Sequence, residues 1–455
     1  MFIDKIKKID HITDDVAFLI YNSRELYNRK KVDKYIPPQV TLFFDYLKQC
    51  WVDNEKQIEE IKDKAKLTTD PVHLDAYLRQ LEVIKEILFV SNYFLKDILD
   101  ISIKETPSPF LIILNDIVQK YNSSYGVIAI KCPIFNYQFI PLYDILESSK
   151  LSDISVIAYP FTESHTIFNN TVLAHEIGHF IYRKLDFHKL ISDELGTIFD
   201  DFEREISDIA KNRSLRDPLF AEMIESQIWR YIWSWCEELA SDFFAIKNVG
   251  LAYFLSFLKV HYLTPLSTRM NSFSDSHPSS NYRIRRMVGL LIDTGWESIL
   301  KDKCNDIYEW INYNNFLTIL KNDIEVSENY YDEDILSEAY VFFDKMRLSV
   351  VKVVNDITQG NVYKPDQLTL SYNEIIKYLQ ELAPPLQSPM KKGKNYDPIS
   401  IINASFILLF NGIIEILLSN SDRLNKVEDK YFFYKKLNEL ALKGIEDYLI
   451  VEEWG

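Results

Sequence analysis

Cysteine is scarce in this 455-residue chain: Cys50, Cys132, Cys236 and Cys304 lie far apart and form no C-x-x-C pair. That fits a reducing compartment better than a disulfide framework. Positive charge is short as well. Lys and Arg number 51 against 67 Asp and Glu, a formal net charge of −16, which argues against a nucleic-acid footprint. Long uninterrupted apolar runs are missing too. Ile399 to Leu418 comes nearest, but Asn403, Asn411 and Glu415 interrupt it, so a buried helix is expected there rather than a membrane span. The start, Met1-Phe2-Ile3-Asp4-Lys5, is amphipathic and soon charged, unlike a signal peptide. No internal repeat is visible. A soluble, cytoplasmic protein without membrane insertion or a nucleic-acid partner is expected.

The length suits two or three domains with sizeable cores. Asp14 to Tyr27, Val40 to Lys66 and Pro71 to Ile101 carry apolar residues at helical spacing, with breaks at Pro37-Pro38 and between Thr106 and Pro109. Tyr125 to Ile130, Tyr137 to Leu142 and Ile154 to Tyr159 are short runs of β-branched and aromatic residues and read as strands. After about Leu300 the pattern is helical again, broken by a loop from Pro384 to Lys394. The fold class expected is mainly α with a small β-sheet (α+β). A helical region over 1–120 and another over 301–455 would flank a core over 121–300. The 28 Tyr and 28 Phe are spread along the chain and belong mostly to cores.

The richest chemistry lies in Val172-Leu173-Ala174-His175-Glu176-Ile177-Gly178-His179-Phe180-Ile181, an H-E-x-x-H within an apolar run. Histidines four apart on a helix project from one face, so both imidazoles can reach one metal ion. Glu176 lies beside them, placed to take a proton from water rather than to bind the metal. Asn169, Asn170 and Thr171 are N-cap candidates. With eight histidines in the chain, chance would produce the pattern in about one such sequence in a hundred. The alternative is a buried helix with two satisfied histidines. His11, His73, His165, His188 and His261 have no partner at ligand spacing and read as structural or exposed.

A catalytic zinc needs a third protein ligand and one open position. Tyr182 and Leu185 stand where a metzincin needs Gly and His, so the ligand must come from elsewhere. A helix is expected from about Gln227 to Lys247, stopped by Gly250, with Ile228, Tyr231, Ile232, Trp235 and Leu239 as its apolar stripe. Glu238 follows Tyr231 by seven residues and Trp235 by three, so it points inward, and Asp242 lies one turn further on. An inward Glu–Asp pair on an apolar face requires a cation or hydrogen bonds. Zinc would compensate Glu238, and Asp242 could accept the free ring N–H of a zinc-bound histidine. Glu237 is the fallback ligand, and a solvated charged face is the alternative without metal.

H-E-x-x-H followed by E-x-x-x-D resembles the gluzincin metallopeptidases. That resemblance implies that His175, His179 and Glu238 bind Zn2+, that Glu176 is the general base and that Asp242 orients a histidine. His277-Pro278-Ser279-Ser280-Asn281-Tyr282-Arg283-Ile284 looks like the H-P-x-x-x-x-R-I segment of the family containing the CAAX-prenyl endopeptidase and the bacterial membrane protease HtpX. The three blocks cover about a quarter of the chain. Those relatives carry membrane spans that this sequence does not show, so their substrates and location are not carried over.

The expectation is therefore a zincin-like core that hydrolyses peptide bonds in a protein or peptide substrate. A binding or scaffolding protein with a degenerate zinc site, and a zinc-independent helical interaction protein, are the competing classes. Two finer expectations concern the surroundings of the metal. Ile154 to Tyr159 should be an exposed edge strand that pairs with substrate backbone. His277 or Tyr282 should donate a hydrogen bond to the oxyanion, while Arg283 ties its segment to an acidic residue of the core. The alternative for that block is a helix N-terminus capped by Ser276, with its His and Arg merely exposed.

Overall fold

A computed structural model of the chain describes residues 2–30, 38–68, 70–104, 109–132, 137–140, 151–160, 166–214, 217–261, 274, 276–313, 333–385, 396–410 and 427–454. The chain forms two compact units, Met1–Ser164 and His165–Gly455. This boundary crosses the 121–300 stretch: the strands fall in the first unit and the motif helices in the second. The described residues are mostly helical with one small sheet, as the periodicities indicated.

The first unit opens with helices α1 (Phe2–Lys30), α2 (Pro38–Leu67), α3 (Pro71–Lys104) and α4 (Pro109–Gln119). Polar ties between α1 and α3 rise in step, from Lys5–Asp75 and Lys8–Glu82 to Asp15–Lys85 and Ser23–Asn92, so the two helices run side by side in one direction. Ile9, Ile12, Val16 and Ile20 form the buried stripe of α1, and Leu74, Leu78, Leu81, Ile84 and Leu88 that of α3.

The sheet holds β1 (Gly126–Cys132), β2 (Gln138–Ile140) and β3 (Ile154–Pro160), with β3 in the middle, parallel to β1 and antiparallel to β2. The expectation of an exposed edge at Ile154 to Tyr159 is therefore wrong. All six residues are buried. The cause is legible in the run itself: Ile-Ser-Val-Ile-Ala-Tyr hardly alternates, as suits a strand covered on both faces, whereas a half-exposed edge would alternate. On the far side of β1, the Asn115 side chain of α4 accepts from Val127 N at 2.8 Å and so satisfies part of that edge.

The second unit is all helical in its described residues. Its elements are α5 (Ile167–Asn170), α6 (Leu173–Lys184), α7 (Phe187–Leu195), α8 (Thr197–Arg213), α9 (Pro218–Val249), α10 (Leu251–His261), α11 (Ser280–Asp293), α12 (Glu297–Lys303), α13 (Asn305–Tyr313), α14 (Glu333–Thr358), α15 (Pro365–Gln380), α16 (Pro398–Phe410) and α17 (Val427–Trp454). None of Asn169, Asn170 and Thr171 caps α6. Thr171 and Val172 keep helical dihedrals, and the Thr171 hydroxyl donates to Ile167 O at 2.6 Å, so α5 runs almost directly into α6. Helix α9 is longer than expected. Asp217 caps it by accepting from Leu219 N and Phe220 N, Pro218 takes the first turn, and Gly250 ends it at φ 73°.

The described part of the Ile399 to Leu418 run is the buried helix α16, and residues 411–418 lie outside the described residues. Asn403 is its reason for being there. Its side chain donates to Val249 O and accepts from Ala252 N, both at 2.8 Å, bridging the α9–α10 junction. Among the described residues no helix is long and apolar enough to cross a membrane. The loop from Pro384 to Lys394 falls largely outside the described residues. Cys50, Cys236 and Cys304 are free thiols.

Candidate metal centre

Helices α6 and α9 build the site by crossing at unusually short range. A Cβ placed on Gly178 would meet Ser241 Cα at 2.6 Å and Ser241 Cβ at 2.8 Å. Only glycine lets α6 lie that close to α9. The crossing sits between His175 and His179 on one helix and between Glu238 and Asp242 on the other, so it brings the two motifs face to face.

His175, Glu176 and His179 present ligand atoms within 4.8 Å of one another, a group that could hold a metal ion. The Nε2 atoms of His175 and His179 are 3.0 Å apart. Glu238 faces both: Oε2 is 3.3 Å from His175 Nε2, and Oε1 is 3.4 Å from His179 Nε2. Ligand atoms placed tetrahedrally at zinc distances stand about 3.3 Å from each other. The two imidazole nitrogens and the two oxygens of this one carboxylate thus stand close enough to share one metal ion. Glu238 Oε2 is buried and accepts no hydrogen bond, although Arg283 Nη1 lies 2.9 Å from it. An oxygen left in that condition is open to a cation.

Charge points the same way. Glu238 and Asp242 are buried carboxylates, and Arg283 is the buried cation against them. With neutral histidines these three groups carry a net charge of −1, which favours a cation beside them. Arg283 chelates Asp242 through Nε at 2.7 Å and Nη2 at 2.6 Å, and its guanidinium lies 4.8 Å from the Phe257 ring centre. Arg283 thus makes the expected tie to an acidic residue of the core. Asp242 also stands where its spacing put it, with Oδ1 3.0 Å from His175 Nδ1. Burial works against both carboxylates, yet Arg283, followed by the histidines, holds Glu238 and Asp242 well below the usual range.

Both histidines are oriented from behind. His175 turns Nδ1 to Asp242, and His179 turns Nδ1 to Glu237 Oε1 at 3.0 Å. Both Nε2 atoms therefore point inward. A 3.0 Å contact between two imidazole nitrogens is favourable when one of them donates a proton to the other. Burial disfavours a charged His175, but Glu238 and Asp242 outweigh it and raise its pKa to about 10. The proton belongs on His175, which then donates from Nδ1 to Asp242 and from Nε2 to His179.

His277 reaches the site and Tyr282 does not. His277 is half-exposed, with Nε2 3.4 Å from Glu238 Oε1 and Nδ1 2.7 Å from Ser276 Oγ. Its segment is pinned by Trp235 Nε1 donating to Ser274 O at 2.8 Å and by the Ser274–His277 backbone bond at 2.9 Å. Ser279, not Ser276, caps α11 by accepting from Tyr282 N. Tyr282 is fully buried, edge-on to Tyr340 and tilted against Phe343, with its hydroxyl 3.4 Å from Asp344 on α14. The expectation of Tyr282 as an oxyanion donor is corrected. It stands one residue before Arg283, and on a helix neighbouring side chains diverge by about 100°.

No family model, no curated protein and no solved structure matches this chain. The reading of the site therefore stands on its own residues.

Sequence reasoning missed one of them and gave another a different role. Tyr253 on α10 donates a short hydrogen bond to Asp242, and its hydroxyl is 3.2 Å from His175 Nδ1. No spacing rule links α10 to the motif helices, so nothing in the sequence marked it. Glu237, the fallback ligand by position, instead lies on the outer side of His179. Of the remaining histidines, His188 stacks on Trp233 at 4.2 Å, which suits a structural role.

Proposed function

We propose that this chain is a zinc-dependent peptidase of the gluzincin type, with a zincin-like core that hydrolyses a protein or peptide substrate. One observation carries the reading. Two inward-facing imidazole nitrogens meet both oxygens of the buried Glu238 carboxylate at 3.3 and 3.4 Å, with a further carboxylate, Glu176, beside them. His175, His179 and Glu238 would hold the ion. Zinc bound there supplies Lewis acidity, which polarises a scissile carbonyl and makes water easier to deprotonate.

The chain's own residues do the rest. Asp242 and Glu237 fix the two rings with Nε2 inward, and Arg283 keeps Asp242 and Glu238 ionised while blocking neither Nε2. Glu176 takes the proton from the attacking water and passes it to the leaving amine. His277, pinned at the rim and turned toward Glu238, is placed to donate to the carbonyl oxygen as negative charge develops there. The free thiols and the negative charge favour a cytoplasmic setting.

The test is zinc content and peptide turnover measured on the same variants. His175→Ala and His179→Ala lose most bound zinc, whereas Glu176→Gln keeps it and loses turnover. A full zinc complement in His179→Ala would overturn the ligand assignment. A zinc-loaded wild type that cleaves nothing Glu176→Gln also fails to cleave would return the site to a binding role.

A further inference from the structure

We infer that Glu237 is a positioning residue for His179 and not a metal ligand, and that α9 supplies the carboxylates that aim both histidines. This rests on the zinc reading above and adds a role that the motif pattern does not contain. His179 uses its two ring nitrogens in opposite directions. Nε2 faces His175 Nε2 at 3.0 Å and Glu238 Oε1 at 3.4 Å, while Nδ1 faces Glu237 Oε1 at 3.0 Å. Glu237 therefore stands behind the imidazole, separated by the ring from the point where the three donors converge. A carboxylate there can hold the ring but cannot share its metal.

The hold is a clamp. Arg183 follows His179 by four residues on α6, one turn further along the same face. Glu237 Oε1 accepts from both, His179 Nδ1 at 3.0 Å and Arg183 Nε at 3.1 Å. An oxygen fixed by two donors cannot swing away without breaking both bonds. A neutral histidine that donates from Nδ1 leaves Nε2 unprotonated and free for a metal, so the clamp selects the tautomer of neutral His179 as well as its orientation. On α9, Glu237 serves His179 and Asp242, five residues on, serves His175, with Glu238 between them on the inner side. The two supports differ in exposure. Asp242 is fully buried under Arg283 and Tyr253, whereas the Glu237 side chain keeps 18 % of its surface exposed and its arginine partner 48 %. The His179 side can therefore be altered without opening the core.

The experiment uses the full chain with Glu237→Ala, Glu237→Gln and Glu237→Asp. Zinc affinity is read by chelator competition, and the ligand field by the visible spectrum of the Co2+-substituted protein. Glu237→Ala lowers zinc affinity about 10- to 100-fold and shifts the Co2+ bands, while metal still binds. Glu237→Gln, whose carbonyl oxygen still accepts from Nδ1, retains most of the affinity and the wild-type spectrum. Glu237→Asp keeps the charge but withdraws the oxygen by about one bond length, some 1.5 Å, and falls toward the alanine variant.

Wild-type affinity and spectrum in Glu237→Ala overturn the inference, because the clamp would then be a surface ion pair. Complete loss of metal in all three variants, matching His179→Ala, overturns it in the other direction, because Glu237 would then be a ligand. A wild type that binds neither Zn2+ nor Co2+ removes the zinc reading itself, an outcome distinct from a failure confined to the Glu237 variants.

Discussion

Replacing Gly178 with alanine tests whether the metal donors depend on the close crossing of α6 and α9. The added methyl carbon would stand 2.6 Å from Ser241 Cα, 2.8 Å from Ser241 Cβ and 3.0 Å from Ser241 O. Carbon atoms rest at about 3.5–4.0 Å, so the helices must separate by roughly 1 Å at this point. The first of those atoms is backbone, and no rotamer change relieves it. Overpacking of this kind costs about 1–3 kcal/mol, and the better helix propensity of alanine returns up to about 1 kcal/mol. The net loss of stability is about 0–3 kcal/mol by these figures. The effect on the metal is larger. A separation of about 1 Å takes the Glu238 oxygens from 3.3 and 3.4 Å to roughly 4 Å or more from the histidine Nε2 atoms, whereas a tetrahedral zinc site tolerates deviations of about 0.2 Å in its bonds. Zinc affinity therefore falls far more than thermal stability does. Chelator competition and a thermal melt of the same metal-free sample separate the two. Ser241→Gly in the same chain removes the Cβ contact but leaves Cα in place, so it does not restore affinity. Wild-type zinc affinity in a folded Gly178→Ala protein would refute the reasoning.

Three further outcomes follow from the same network. Arg283→Met leaves Asp242 and Glu238 buried without their cation and lowers stability by about 3–5 kcal/mol, read as a fall in Tm; an unchanged melt would mean that these carboxylates are not charged in the fold. Tyr282→Phe gives up the hydroxyl's contacts with Asp344, 3.4 Å away, and with Arg286 and costs about 1 kcal/mol, with zinc content and turnover unchanged, so a large loss of turnover would return this tyrosine to the catalytic set. Because His175 carries a proton in the metal-free site up to a pH of about 10, zinc binding near neutral pH releases about one proton, and affinity rises with pH until that value is passed. Calorimetry in buffers of different ionisation enthalpy measures the release, and binding without it would place the resting proton elsewhere.

Local order was legible in the sequence. Periodicity alone located α1, α2 and α3 to within a few residues at most ends, apart from the early start of α1, because an amphipathic stripe is written at i, i+3 and i+4. The pairing of His175 with His179, and the inward turn of Glu238 and Asp242, were legible for the same reason: each lies within one helix, where spacing fixes direction.

What failed, or was never visible, depends on contacts between elements. Strand order put Ile154 to Tyr159 in the centre of the sheet, a matter of pairing that no single strand encodes, although its unbroken apolar run carried a trace of it. Tyr282 went astray because sequence neighbourhood to Arg283 says nothing about which helix each side chain meets, and α14 claimed the tyrosine. Tyr253 and Glu237 gained their roles from helices that cross in space, and Gly178 sets the distance of that crossing. The sequence by itself determined which side chains share a helical face. The tertiary structure decided which faces meet, and at what separation, because burial and close packing act between segments far apart along the chain.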